Sequence, residues 1–241
     1  DESRKSKLPI EMASMNKIKS LEDLMTWIRL KQIPISSEVV ITPKYDGISL
    51  CVNEVNNRAF TRGDGIHGQR SDTHYQSIGN KLDTQNLFNF TYGEVMMSKS
   101  TFSTKYANDF ANPRNLVAGL LNSKDISSIL KDCVYIKYGG IISDKFKDKV
   151  KTKGEILSQL NSCQEVNVQF EIKKIGDLSE DLFLNLFKDW SKDYEIDGLI
   201  IEINNLDLQN ELGRENSSNN PVWARAFKHP SFEQSATTDI V

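Results

Sequence analysis

The sequence predicts an α+β fold in which antiparallel strands and helices are interspersed along one chain. Three observations carry this reading: Ser or Thr caps ahead of amphipathic runs, short alternating apolar segments, and an Asn-Asn turn joining two of those segments. Ser20 caps a first helix whose Leu21, Leu24, Met25 and Ile28 fall at i, i+3, i+4 and i+7, with Asp23 completing a capping-box-like start and Pro34 soon after its end. Residues 39–44 and 48–55 are apolar and partly alternating, and the turn Asn56-Asn57 leads to the short run 58–61; these are expected as antiparallel strands. Residues 98–110 and 113–121 are expected as helices, the second with Pro113 at a tolerated first-turn position, and residues 133–138 alternate like a strand. Thr152 with Glu155 opens a capping box ahead of Ile156, Leu157 and Leu160, and Ser179 precedes Leu182, Leu186 and Trp190 at helical spacing. Between them residues 166–172 are expected as a strand. Residues 199–203 and 222–227 are the last strand candidates, separated by the polar loop 216–220, and no internal repeat is found.

With 241 residues, 38% hydrophobic and 26% charged, the chain is long enough for a proper core and has the make-up of a soluble globular protein, so a folded enzyme is feasible. No apolar run approaches the ~18 residues that cross a bilayer, and the polar start Asp1-Glu2-Ser3-Arg4 does not resemble a signal peptide, so no membrane association and an intracellular location are expected. Cys51, Cys133 and Cys163 stand far apart, which points to buried thiols rather than a disulfide framework or zinc site. A net charge of −3 argues against an electropositive coat but leaves room for a local basic face.

The motif that stands out is Lys44-Tyr45-Asp46-Gly47 at a strand end, where a lysine is held rigidly and glycine lets the backbone turn. A string this short is weak alone. It is followed by Thr61-Arg62-Gly63-Asp64-Gly65, a glycine-rich turn able to bring amides and a guanidinium to an anion, and then by Gly93-Glu94-Val95 and Asn112-Pro113-Arg114-Asn115. Glu195-Ile196-Asp197-Gly198-Leu199-Ile200-Ile201 and Pro221-Val222-Trp223-Ala224-Arg225-Ala226-Phe227-Lys228 complete the series.

In that order and spacing the motifs resemble the adenylation domain of NAD-dependent DNA ligases, members of the covalent nucleotidyltransferase family. The resemblance runs from about Leu8 to the end, and the segment from Leu8 to Lys19 is similar to the lead-in of virus-encoded versions. It implies two antiparallel sheets flanked by helices, with a lead-in segment and helix over residues 1–38, the adenylation domain over 39–241, and an OB-fold beginning where the chain stops, at residues 237–241. It also implies that Lys44 is the nucleophile that attacks NAD, forming lysyl-AMP and releasing nicotinamide mononucleotide, before AMP passes to the 5'-phosphate of nicked double-stranded DNA. An amine must be uncharged to attack phosphorus, and Arg62, Arg114 and Lys228 are the expected cationic neighbours that favour this form and draw charge from the phosphates. Catalysis is thereby assigned to Lys44, Asp46, Arg62 and Lys228, and donor binding to these cations together with Glu94 at the ribose, Tyr138 against adenine, Arg114 and Asp197. Magnesium is the implied metal, with Asp197 and Glu202 its expected ligands. An OB-fold-bearing domain or separate subunit is the implied partner. The alternatives are an ATP-dependent or RNA ligase core, and a degenerate subunit that binds AMP or nucleic acid without catalysis.

The chain departs from the family pattern where Glu202 replaces a lysine, Thr42 an acidic residue, and Asn122 a second arginine. A carboxylate ~4 Å from a phosphate is unfavourable by about 4 kcal/mol at an effective dielectric of ~20, so a bridging metal, magnesium, is expected beside Glu202. His67, His74 and His229 lack metal-ligand spacing and are given no role, and Trp223 is expected in the core. Lys145, Lys147, Lys149, Lys151 and Lys153 recur at every second position, which in an extended segment would line up as a solvated edge or a phosphate-binding one.

Overall fold

The computed structural model describes residues 2–79 and 86–233. In chain order the elements are β1 (Lys5–Lys7), β2 (Lys17–Ile18), α1 (Leu21–Leu30), β3 (Glu38–Tyr45), β4 (Ile48–Asn53), β5 (Arg58–Thr61), β6 (His67–Gln69) and α2 (Asp72–Ser77). There follow β7 (Phe88–Met96), α3 (Lys99–Lys105), α4 (Pro113–Asn122), β8 (Val134–Ile142), α5 (Lys153–Ser162), β9 (Glu171–Lys174), α6 (Glu180–Trp190), β10 (Ile196–Ile203), α7 (Leu206–Leu212) and β11 (Ala224–Phe227). A five-stranded sheet runs β2-β11-β10-β3-β9 and a four-stranded sheet β5-β4-β7-β8, while β1 and β6 form a separate ribbon. All pairings are antiparallel except the short β11–β2 contact.

The caps read from sequence are in place. Ser20, Thr152 and Ser179 each accept a hydrogen bond from the backbone N–H three residues on, satisfying a donor that a helix start leaves open. The Asp23 carboxylate reaches back to the Lys19 N–H, and Asn112 caps α4 with Pro113 following.

The main core fills the space beside the five-stranded sheet and reaches the other sheet. It joins Leu24, Trp27 and Ile28 of α1, Leu157 and Leu160 of α5 and Phe183 and Phe187 of α6 to Val39, Ile41, Leu199 and Phe227, with Phe88, Met96 and Ile136 entering from the four-stranded sheet. At roughly 1.5–3 kcal/mol for each large apolar side chain fully buried, this cluster is the main force holding helices and sheets together. A second core lies under α2 and α4, and a small third one packs Leu8 and Met12 against Cys51 and Phe60. The lead-in segment 1–38 thus contributes β2 to the five-stranded sheet and α1 to the main core. The expected junction at residues 237–241 lies outside the described residues.

Four expectations are corrected. The strand expected over 166–172 forms only as β9, because both the N–H and the carbonyl of Val168 are bonded by the Asn161 side chain instead of by a neighbouring strand. The helix expected over 98–110 stops at Lys105, and residues beyond it turn so that the Tyr106 hydroxyl meets Asp132. The alternating lysines form no extended edge: Lys147–Lys149 is a 3-10 turn, and Lys153 is buried at the start of α5. Strand β7, central in its sheet, was not expected as a strand at all. Buried Phe88, Thr91 and 93–96 give it no clean alternation along its sequence.

Candidate active site

Strand β3 ends in Lys44-Tyr45, and the chain then crosses through Asp46-Gly47 into β4 of the other sheet. Gly47 is required there by packing: a Cβ would collide with the Val95 carbonyl and the Met96 sulfur. In the ladder Lys44 stands opposite Gly198 of β10, so Asp197 is delivered beside it, and Lys228 follows directly after β11, which pairs on the other side of β10. Lys44 Nζ lies 3.3 Å from Asp197 Oδ1 and Lys228 Nζ 3.1 Å from Asp197 Oδ2, so one carboxylate joins two ammonium groups. Arg114, in the first turn of α4, reaches Asp46 Oδ1 with its Nε at 3.0 Å. Burial first, and then the neighbouring Asp197 charge, raises the Asp46 carboxyl above its usual range, against the pull of Arg114, Lys44 and Lys228.

Glu94 of β7 is buried and forms the other wall. The Ser49 hydroxyl donates to its Oε1 at 2.8 Å and the Tyr138 hydroxyl to the same oxygen at 3.3 Å. Burial pushes this carboxyl up to about 7, although Ser49, the Gly47 N–H, Lys44 and Tyr138 all favour its charged form. Tyr138 is thereby fixed by its hydroxyl as well as by its ring, which packs against the main core.

Two predicted residues are placed differently from expectation. Arg62 does not join the Asp197 cluster; its Nε donates to the Met12 carbonyl at 2.8 Å and Nη2 meets Ser14 Oγ at 2.5 Å, tying the lead-in segment to the glycine turn. That turn needs glycine at position 63, where φ is +55° and a Cβ would strike the His67 carbonyl. Glu202 is separated from Asp197: it pairs with Val40, farther along the strand from Lys44, and its carboxylate lies 3.7 Å from Lys153 Nζ. The expected metal beside Glu202 is replaced by an ammonium of this chain. Asp197 and Glu202 therefore do not converge as joint metal ligands, and among the described residues no group of three or more His, Cys, Asp or Glu side chains gathers as a metal cage. The remaining donor set, Asp46 and Asp197, fits an ion that takes one or two carboxylates and shares the rest of its coordination with phosphates.

Sequence reasoning missed Ser49 and Lys153; a hydroxyl on an unremarkable strand and a lysine inside a lysine-rich run carry no local signal. Thr42 is buried opposite Ile200, and Asn122 is exposed at the opposite end of α4 from Arg114. The three cysteines are buried free thiols, as expected, and Trp223 packs partly buried against the main core.

The family model for the NAD-dependent DNA ligase adenylation domain matches residues 2–232. The chain belongs to that family. The adenylation domain is 34% identical over 238 residues to a DNA ligase of Acanthamoeba polyphaga mimivirus, covering 93% of this chain and 34% of that protein. It is 32% identical over 234 residues to a putative DNA ligase of Invertebrate iridescent virus 6, covering 93% of this chain and 36% of that protein. A DNA ligase of Francisella tularensis subsp. holarctica is 30% identical over 242 residues, with 92% and 35% covered. The adenylation domain thus spans about a third of the length of the curated relatives it matches. A solved RNA ligase of Naegleria gruberi superposes with a TM-score of 0.47 at 12% identity, over 95% of this chain and 59% of that one. No helix among the described residues is long and apolar enough to cross a membrane.

Proposed function

We propose that the adenylation domain performs the first step of sealing nicked double-stranded DNA, an adenylyl transfer from NAD to Lys44. Lys44 Nζ attacks the α-phosphorus, a phosphorus–nitrogen bond forms as the bond to nicotinamide mononucleotide breaks, and the amine proton leaves toward Asp197 Oδ1, the acceptor already in contact. Lys228 and Arg114 supply fixed positive charge to the phosphates as the transition state forms, and Arg62 orders the lead-in segment over the site. Glu94 accepts from the donor's ribose, and Tyr138 presents its ring to adenine. Asp46 and Asp197 would hold magnesium, which would supply neutralisation of phosphate charge when bound.

The AMP then moves to the DNA 5'-phosphate and the adjoining 3'-hydroxyl displaces it. This later chemistry engages an OB-fold-bearing domain or subunit, in an intracellular enzyme. The observation that carries the reading is the sharing of Asp197 between Lys44 and Lys228 at the open ends of paired strands, next to the Asp46–Arg114 pair. The Lys153 ammonium beside Glu202 favours this reading over a degenerate subunit in which an unpaired Glu202 would oppose the phosphates.

The test is incubation with NAD labelled in its adenylate half and magnesium, followed by denaturing electrophoresis. A covalent label that Lys44→Arg abolishes is expected. Reversible binding with no covalent label, from the chain supplied with its partner regions, overturns the proposal, and a label obtained from ATP but not NAD overturns the choice of donor.

A further inference from the structure

Lys153 is a buried ammonium that the adenylyl transfer does not use. Its backbone, at the start of α5, is tied to the residue that follows β10: the Lys153 N–H donates to the Asn204 carbonyl at 2.8 Å, the Gly154 N–H to Asn204 Oδ1 at 2.9 Å, and the Asn204 N–H to the Glu38 carbonyl of β3 at 2.9 Å. Its side chain reaches the other sheet. Nζ donates to the Tyr138 carbonyl on β8 at 2.8 Å while remaining 3.7 Å from Glu202 Oε2 on β10. The approach to β8 is close, since a Cβ on Gly139 would lie 3.3 Å from Nζ. Tyr138 in turn holds Glu94 through its hydroxyl, on the oxygen that Ser49 also engages. A connected path therefore runs from β10 through Lys153 to the Tyr138 backbone, and along the Tyr138 side chain to the Glu94 carboxylate.

We propose that Lys153 is a positioning residue that sets the spacing of the two sheets across the nucleotide site, acting through Tyr138 on Glu94. The inference rests on the proposed adenylyl transfer for its functional meaning. Stability alone gives little reason to keep such a pair, because a buried ion pair is commonly replaceable by apolar side chains at no loss. What an apolar replacement cannot reproduce is a donor fixed to one sheet and bonded to the backbone of the other. Glu202, 3.7 Å away, holds that donor in place, so the pair specifies where Tyr138 stands rather than how tightly the domain folds.

The experiment compares the parent with Lys153→Met, Lys153→Arg and the double variant Lys153→Met with Glu202→Gln. Lys153→Met strands a buried carboxylate and is expected to destabilise, whereas the double variant removes both charges and is expected to recover stability. In the double variant the donor concentration for half-maximal Lys44 adenylation is expected to rise about tenfold with the limiting rate little changed, a binding loss from mispositioning. The Glu94 carboxyl, followed by carbon-13 NMR, is expected to titrate higher because the Tyr138 hydrogen bond to its charged form is weakened. Lys153→Arg, which keeps a donor, is expected to restore both readouts toward the parent. A folded double variant with both readouts unchanged overturns the inference. If the methionine variants fail to fold, the exchange Lys153→Glu with Glu202→Lys decides by the same criteria, since it retains both charges and leaves no donor at position 153. Failure of the parent to label sinks the proposed transfer, yet the Glu94 titration still decides the role of Lys153.

Discussion

Glu94 shows how one buried carboxyl couples the site to stability. Its folded-state value of about 7 lies above its ordinary value of 4.5, chiefly through burial, so the folded protein holds a proton there that the unfolded chain has lost across that window. Stability from this group is fully present below the ordinary value and is lost as pH rises through about 7, by about 3 kcal/mol in all. Urea denaturation of Glu94→Gln is therefore expected to lack that decline, and the gap between variant and parent is expected to open between about pH 4.5 and 7. A parallel pair of stability–pH curves would contradict the assignment. Asp197→Asn tests the neighbouring wall: it leaves Lys44 and Lys228 without their shared carboxylate, and adenylate formation is expected to fall by about 100-fold or more with little change in fold, measured by single-turnover labelling.

Among the elements, those with a local physical cause were readable in advance. Ser179, Thr152 and Ser20 begin helices because their oxygens satisfy an N–H three residues on, a condition written in adjacent residues. Ser179→Ala is expected to cost ~1 kcal/mol in a denaturant melt and leave adenylation unchanged, since α6 contributes core side chains and none of the assigned site residues. Strand β7 and the stretch before β9 were not readable, because their states depend on partners distant in sequence: two neighbouring strands in one case, Asn161 in the other. The crossing from β3 to β4 lies between these cases. Its glycine is visible as a turn signal, but only the packing against Val95 and Met96 shows why nothing larger fits. Gly47→Ala is expected to destabilise by ~1–3 kcal/mol and to slow labelling by displacing Asp46, as read from melts and adenylation rates.

For the molecule as a whole, the lead-in segment is part of the working structure. It supplies β1 and β2, Leu8 and Met12 of the third small core, and the two acceptors that hold Arg62. A chain beginning at Ser20 is expected to unfold at lower urea concentration and to lose most adenylation while keeping Lys44, whereas undiminished activity would show that Arg62 needs no anchor.

The α+β class, the helix starts, the family and the identity of Lys44, Asp46, Glu94, Arg114, Asp197 and Lys228 as site candidates are legible in the residues alone, because each rests on short spacings or on motif order. Which charges meet is a property of the folded chain. Asp197 stands between two lysines, Arg62 turns to the lead-in segment, and Glu202 finds Lys153 rather than the Asp197 cluster. Pairing of charges depends on separations of a few ångströms between residues far apart in the chain, and strand register and helix docking fix those separations.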